Sequence, residues 1–182
     1  MPQKRIAVLV GSLRKDSWNK RIANEVLKLA SQNLKMEILP IGQLVHYNED
    51  IDQGNPPQEY TDFRNKLKEA DAFLFFTPEY NRGVPGVLKN AIDVGSRPYG
   101  KNSWAGKPGG VVSVSISGLG GLGANHHLRQ SMVFVDVPMM QQPEAYISNA
   151  QDLFDENGNL VEDTKKFLQT FIEAYEKWVN KF

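Results

Sequence analysis

Short unbroken apolar runs alternate along this chain with longer stretches in which apolar residues recur every three or four positions. Ile6-Ala7-Val8-Leu9-Val10 makes residues 5–10 a strand buried on both faces, because a half-exposed strand would alternate apolar with polar. Residues 17–30 set Ile22, Ala23, Val26, Leu27 and Ala30 at helical spacing. Residues 36–41 read as a second strand. A polar segment, 42–58, follows it, and Pro56-Pro57 precedes a helix over 60–69 with Tyr60, Phe63 and Leu67 on its apolar face. The third strand, 72–77, is again continuous and rich in phenylalanine. Residues 84–94 carry Val87, Leu88, Ala91 and Ile92 on one helical face, and 110–115 read as the fourth strand. A helix over 125–135 comes next, with the fifth strand at either 137–141 or 145–148. After the turn signal Asp155-Glu156-Asn157-Gly158, residues 160–182 form a strongly amphipathic helix through Phe167, Leu168, Phe171, Ile172, Tyr175, Trp178 and Val179.

Strands alternating with helices imply right-handed βαβ units, and so an α/β fold with a parallel sheet covered by helices on both faces. No internal repeat or linker interrupts the pattern, so residues 1–182 are expected to form one domain. In such sheets ligands bind beyond the carboxyl ends of the strands. Three loops with unusual residues leave those ends, at 11–19, 77–86 and 115–123.

Composition narrows the chemistry. The chain has 21 Lys+Arg against 21 Asp+Glu, which argues against nucleic acid or another polyanion as the main partner. It has no cysteine, which excludes disulfides, thiolate-bound metals and a Cys nucleophile. Its longest apolar runs are too short to span a bilayer, and none has the length of a signal-peptide core, so the expected location is cytoplasmic.

The first loop, Gly11-Ser12-Leu13-Arg14-Lys15-Asp16-Ser17-Trp18-Asn19, offers hydroxyls, an amide and cations where a strand gives way to a helix. A helix N-terminus has unpaired N–H groups and partial positive charge, which suit a phosphate. Ser12, Ser17 and Asn19 can donate to phosphate oxygens and Arg14 can supply charge; the alternative is Ser17 as a plain N-cap and Arg14 as a solvated loop residue. The second loop, Thr77-Pro78-Glu79-Tyr80-Asn81-Arg82-Gly83-Val84-Pro85-Gly86, is stiffened by two prolines and is either a wall for a planar ring or a simple connection.

The third loop holds a literal G-x-G-x-x-G, Gly118-Leu119-Gly120-Gly121-Leu122-Gly123. The dinucleotide signature belongs to the first βα turn and this is the fourth, so these glycines read as close approach of a flat ligand or as a tight turn. Residues 95–102 imitate a phosphate-binding loop, but Asn102 stands where a Ser or Thr would be needed, and a helix rather than a strand precedes them. His46, His126 and His127 have no metal-ligand spacing, and adjacent helical residues point apart, so no metal site is expected. No Ser/His/Asp arrangement is visible either.

Gly11-Ser12-Leu13-Arg14-Lys15 with Ser17 and Asn19, Thr77-Pro78-Glu79-Tyr80-Asn81, and Val84-Pro85-Gly86-Val87-Leu88-Lys89-Asn90-Ala91-Ile92-Asp93 together resemble the NAD(P)H-dependent FMN reductases. Ala105-Gly106-Lys107-Pro108 and His127-Leu128-Arg129-Gln130 extend the likeness over most of the chain. The resemblance implies a flavodoxin-like three-layer sandwich with strand order 2-1-3-4-5. It implies FMN as cofactor and NADPH or NADH as electron donor, with quinones, flavins, azo compounds or chromate as acceptors. Carried over by position, it puts the FMN phosphate at Ser12, Arg14, Ser17 and Asn19. The ring would lie against Pro78, Glu79, Tyr80 and Asn81, with Ser115 and Gly118 opposite. A helix N-terminus after the third loop would stabilise negative charge on the ring.

Hydride transfer between stacked rings needs orientation more than side-chain acid or base, so no catalytic side chain is expected. The chain departs from the resemblance at Gly123 and His126, where relatives often carry Arg and Tyr that join subunits. A homodimer is the expectation, with a homotetramer as the alternative. An electron carrier of flavodoxin type is the competing reading; such carriers tend to be strongly acidic, and the balanced charge here speaks against it.

Overall fold

A computed structural model of the chain describes residues 2–182. Five parallel strands lie in the order β2-β1-β3-β4-β5, with β1 at Lys4–Val10, β2 at Leu34–Leu39, β3 at Ala72–Thr77, β4 at Gly109–Val114 and β5 at Ala145–Ile147. The helices between them are α1 (Trp18–Leu29), α2 (Glu49–Asp52), α3 (Gln58–Glu69), α4 (Gly86–Gly95) and α5 (Leu122–Phe134), and α6 (Glu162–Val179) closes the chain. This is the doubly wound α/β sandwich that the alternation of runs implies.

Alternate side chains of one strand serve opposite faces of the sheet, which is why the central strands read as unbroken apolar runs. Ile6, Val8 and Val10 of β1 pack with Ile22 and Val26 of α1 and with Phe171 and Tyr175 of α6. Ala7 and Leu9 turn the other way, towards Tyr60, Phe63 and Leu67 of α3, Leu88 and Ile92 of α4, and Leu128 and Met132 of α5. Trp104, fully buried, sits edge-on to Phe73 at 4.8 Å between ring centroids, and its Nε1 donates to Ile92 O at 3.0 Å.

Several boundaries differ from the sequence expectation. β2 starts and ends two residues earlier than 36–41, because Pro40 lacks the N–H that would continue the ladder. β5 is Ala145–Ile147; the rival segment 137–141 contributes one isolated bridge, Gly109 to Met139, and is not a strand. α4 begins at Gly86 behind Pro85, and α5 begins three residues before the expected 125.

The polar segment between β2 and α3 holds α2, which Asn48 caps by accepting from Asp50 N. Buried polar side chains fasten this segment to the body. Asn90 Nδ2 donates to Leu44 O and Val45 O, and the Tyr60 hydroxyl donates to Val45 O and His46 O. Arg64 pairs bidentately with Asp52 at 2.7 and 2.8 Å.

Candidate active site

The winding of the sheet reverses between β1 and β3: the chain leaves β1 through α1 to β2 on one side, then returns to β3 on the other. The loops after β1 and β3 therefore part at their carboxyl ends and leave a crevice, the usual ligand position in open α/β sheets. Gly11 makes the crevice possible: a Cβ there would lie 3.1 Å from Leu88 Cδ2 and 3.4 Å from Phe76 O, where the end of β1 presses on α4. The crevice is a cleft of about 220 Å³. Larger grooves lie elsewhere, such as one of about 570 Å³ along α4 and α5, but they do not join hydroxyls and a cation to a helix N-terminus.

Eight of the ten residues expected at the site line this cleft: Ser12, Arg14, Ser17 and Asn19 from the first loop, Pro78, Glu79 and Tyr80 from the second, and Ser115 from the third. Asn81 and Gly118 do not line it. Asn81 and Arg82 are the two left-handed residues (φ 52° and 63°) of a tight turn closed by paired Tyr80 and Gly83 backbone hydrogen bonds of 3.1 and 3.0 Å. Gly118 lies in the exposed part of the third loop, where its carbonyl accepts from Ser148 Oγ at 3.0 Å. Trp18, Val114 and Ile116 also line the cleft, and sequence reasoning does not single them out. A signal for Trp18 exists in the sequence: an aromatic immediately after the N-cap of the phosphate-suited loop.

The first loop builds a donor cluster. Ser17 is the N-cap of α1, with its Oγ accepting from Lys20 N at 3.2 Å, so its hydroxyl hydrogen is still available. The next two N–H groups, of Trp18 and Asn19, donate to no described residue, as expected for the first turn of a helix. Arg14 is exposed and makes no ion pair with a described residue. Asn19 is buried and ties α1 to the end of β4 through Nδ2, which donates to Val114 O at 3.2 Å. One of its two donors is thereby committed, and its Oδ1 is buried without a partner. Two free amides, the two hydroxyls of Ser12 and Ser17 and an unpaired guanidinium at a positive helix end are a donor set suited to a phosphate monoester.

The third loop is self-braced. Ser115 Oγ donates to Ser117 Oγ and accepts from Ser117 N, each at 3.1 Å. Gly120 and Gly121 are left-handed, and a Cβ on Gly120 would lie 2.8 Å from the Tyr146 carbonyl carbon. These glycines make a tight turn against β5. The α5 N-terminus beyond them, expected to stabilise negative charge on the ring, already holds a carboxylate from the second loop: Glu79 Oε2 accepts from Ala124 N at 2.9 Å. The imidazole of His127 adds a second tie, Nδ1 accepting from Val84 N at 3.2 Å. His126 turns to the other side, with Nε2 3.0 Å from the Tyr146 hydroxyl. Burial, and after it a hydrogen bond with Glu144, pushes the Tyr146 phenol up to about 12, so it stays protonated across the physiological range. Among the described residues, no three His, Cys, Asp or Glu side chains gather as a metal site.

Fold and cleft together define a flavodoxin-like protein whose first loop has donors suited to a phosphate and whose second loop forms a wall suited to a planar ring. A sequence profile of the NADPH-dependent FMN reductase family matches residues 4–152, and the chain belongs to that family. It is accordingly an oxidoreductase that works with FMN and a nicotinamide donor. It is 53% identical over 174 residues to a quinone reductase of Pseudomonas putida, covering 96% of this chain and 94% of that one. It is 44% identical to a 2-hydroxy-1,4-benzoquinone reductase of a Burkholderia species, covering 96% of each. Among solved structures it superposes on FerB, a flavoenzyme NAD(P)H:(acceptor) oxidoreductase from Paracoccus denitrificans, with a TM-score of 0.92 at 42% identity over 98% of each chain.

Proposed function

We propose that the protein oxidises NAD(P)H through FMN held in the cleft beyond β1, β3 and β4, and passes the electrons to quinones. The observation that carries this reading is the junction of the α1 donor cluster with the Pro78–Tyr80 wall in one cleft. Its support from outside the chain is the similarity to two reductases of quinones.

In this reading the phosphate sits on the Trp18 and Asn19 amides with Ser12, Ser17 and Arg14 around it. The unpaired Asn19 Oδ1 would accept from a hydroxyl of the bound cofactor, which would remove the cost of leaving it buried and unsatisfied. Pro78, Glu79 and Tyr80 would bound one side of the ring and Ser115 the other, with Asn81 and Gly118 in the turns that carry them. Bound FMN supplies acceptance of hydride at N5 and its delivery to the second substrate. The chain supplies position: a rigid turn, a half-exposed Tyr80 beside the open face, and loops tied to α5 at Glu79 and His127.

The enzyme acts as a homodimer, with a homotetramer as the wider alternative, in the cytoplasm, where its nicotinamide donor is found. A dimer is supported by Val133 and Phe134, 79% and 90% exposed at the end of α5. Among the described residues no helix is long and apolar enough to cross a membrane. Steady-state turnover of a benzoquinone with NADPH or NADH tests the reading. Parallel double-reciprocal lines, the mark of both substrates using one open face in turn, are expected. FMN-loaded protein that reduces no quinone with either nucleotide would instead be an electron carrier.

A further inference from the structure

The family resemblance places Glu79 against a ring, yet its carboxylate is committed to the neighbouring helix. α5 starts behind Gly121, a left-handed residue with no side chain to cap the helix. Glu79 Oε2 caps it instead by accepting from Ala124 N at 2.9 Å. The Glu79 side chain is only 14% exposed, while its counter-ion Arg82, 3.4 Å away, is 74% exposed and so weakly engaged. The fit is close: a Cβ at Gly123 would lie 2.9 Å from Glu79 Oε2 and 3.2 Å from Arg82 O. Glycine at 123 and glutamate at 79 thus form one joint between the second loop and α5. Glu79 is at the same time part of the cleft wall.

We propose that Glu79 is a positioning residue that also acts electrostatically. Through α5 it holds the ring wall in place, and its negative charge offsets the positive end of that helix. A bare helix N-terminus beside the ring would favour the electron-rich form of a bound flavin. A carboxylate on the first turn of that helix removes the advantage and adds repulsion across a low-dielectric wall. The site then holds reduced FMN less tightly than an uncapped one would, which favours onward release of electrons. The inference rests on FMN occupying this cleft.

Two measurements on Glu79→Gln, Glu79→Ala and the control Arg82→Gln test it. In flavin-free protein, hydrogen exchange at the Ala124 amide is expected to quicken about tenfold or more in Glu79→Ala, the size of a lost cap, and less in Glu79→Gln, which keeps an acceptor oxygen. In FMN-loaded protein, the ratio of affinities for reduced over oxidised FMN is expected to rise by about threefold to tenfold in Glu79→Gln. Arg82→Gln should leave Ala124 exchange unchanged and not raise the ratio. A purely structural Glu79 would alter exchange and both affinities but not their ratio, so an unchanged ratio in Glu79→Gln overturns the electrostatic role. Unchanged Ala124 exchange in Glu79→Ala overturns the positioning role. Wild-type protein that binds no FMN overturns the flavin reading and the redox role with it, while the exchange result still decides whether Glu79 holds α5.

Discussion

At the α1 N-terminus one hydroxyl serves two ends. Ser17 Oγ accepts from Lys20 N and keeps its hydrogen for a ligand, so the N-cap and phosphate readings of this residue, alternatives on sequence grounds, are compatible in space. Arg14 differs, since it is exposed and pairs with no described acid. Arg14→Ala should therefore weaken FMN binding by about tenfold, the worth of one charge-assisted bond. The melting temperature of the flavin-free protein should hardly move, because surface substitutions of this kind stay within about 0.5 kcal/mol. Equal losses of affinity and stability would count against the phosphate assignment. Arg64 shows the opposite case: it is buried, bidentate to Asp52, and donates through Nε to Val94 O at 2.9 Å. Asp52→Ala leaves that guanidinium buried without its partner, and chemical denaturation should show a loss of about 3–5 kcal/mol. Nothing in local sequence pairs residue 52 with 64; the partnership exists only once α2 and α3 have packed.

Elements defined by their own periodicity agree with the sequence pattern closely, and those defined by a neighbour do not. β3 spans the expected residues because its unbroken apolar run is bounded by Asp71 and Pro78. α5 starts early because its cap comes from Glu79, 45 residues away, which no local signal announces. α2 is a single turn within a polar stretch, held by Asn48 and by burial of Asp52. The end of α4 illustrates packing between elements: a Cβ on Gly95 would lie 2.5 Å from Trp104 Nε1 and 2.6 Å from Leu67 Cδ1. Gly95→Ala should therefore cost about 1–3 kcal/mol by overpacking, read from denaturant unfolding, although alanine is the better helix former. This explains why the look-alike phosphate loop begins with glycine: the residue is there for Trp104. In the turn before α6, the Asn159 backbone N–H, its side chain and the Asn157 N–H hold the Asp155 carboxyl below the usual carboxylate range. A carboxyl lowered in this way stabilises the folded turn above its unfolded pKa and loses that contribution as the pH falls through the folded one. The amide signals of Asn157 and Asn159 should accordingly shift together with a midpoint below the ordinary carboxylate value, whereas a midpoint above it would contradict the bonding.

At the scale of the whole molecule, the strand order places the loops after β1, β3 and β4 side by side, and that arrangement turns three separate motifs into one cleft. The position of the cleft is legible because the three loops leave the strand ends, and most of its lining because hydroxyls, a cation and prolines are conspicuous there. What a linear reading lacked was direction: Glu79 turns to α5, one amide donor of Asn19 turns to β4, and Asn81 is part of a turn. The balanced charge and the absence of cysteine agree with an enzyme whose redox chemistry belongs to a bound organic cofactor. The most direct test is to reconstitute the protein with FMN, exclude oxygen, add NADPH and then NADH, and record the visible spectrum. The account predicts stoichiometric binding and bleaching of the flavin bands by at least one of the two nucleotides, with recovery on adding a quinone. A protein that takes up no FMN, or whose bound flavin neither nucleotide bleaches, would contradict it.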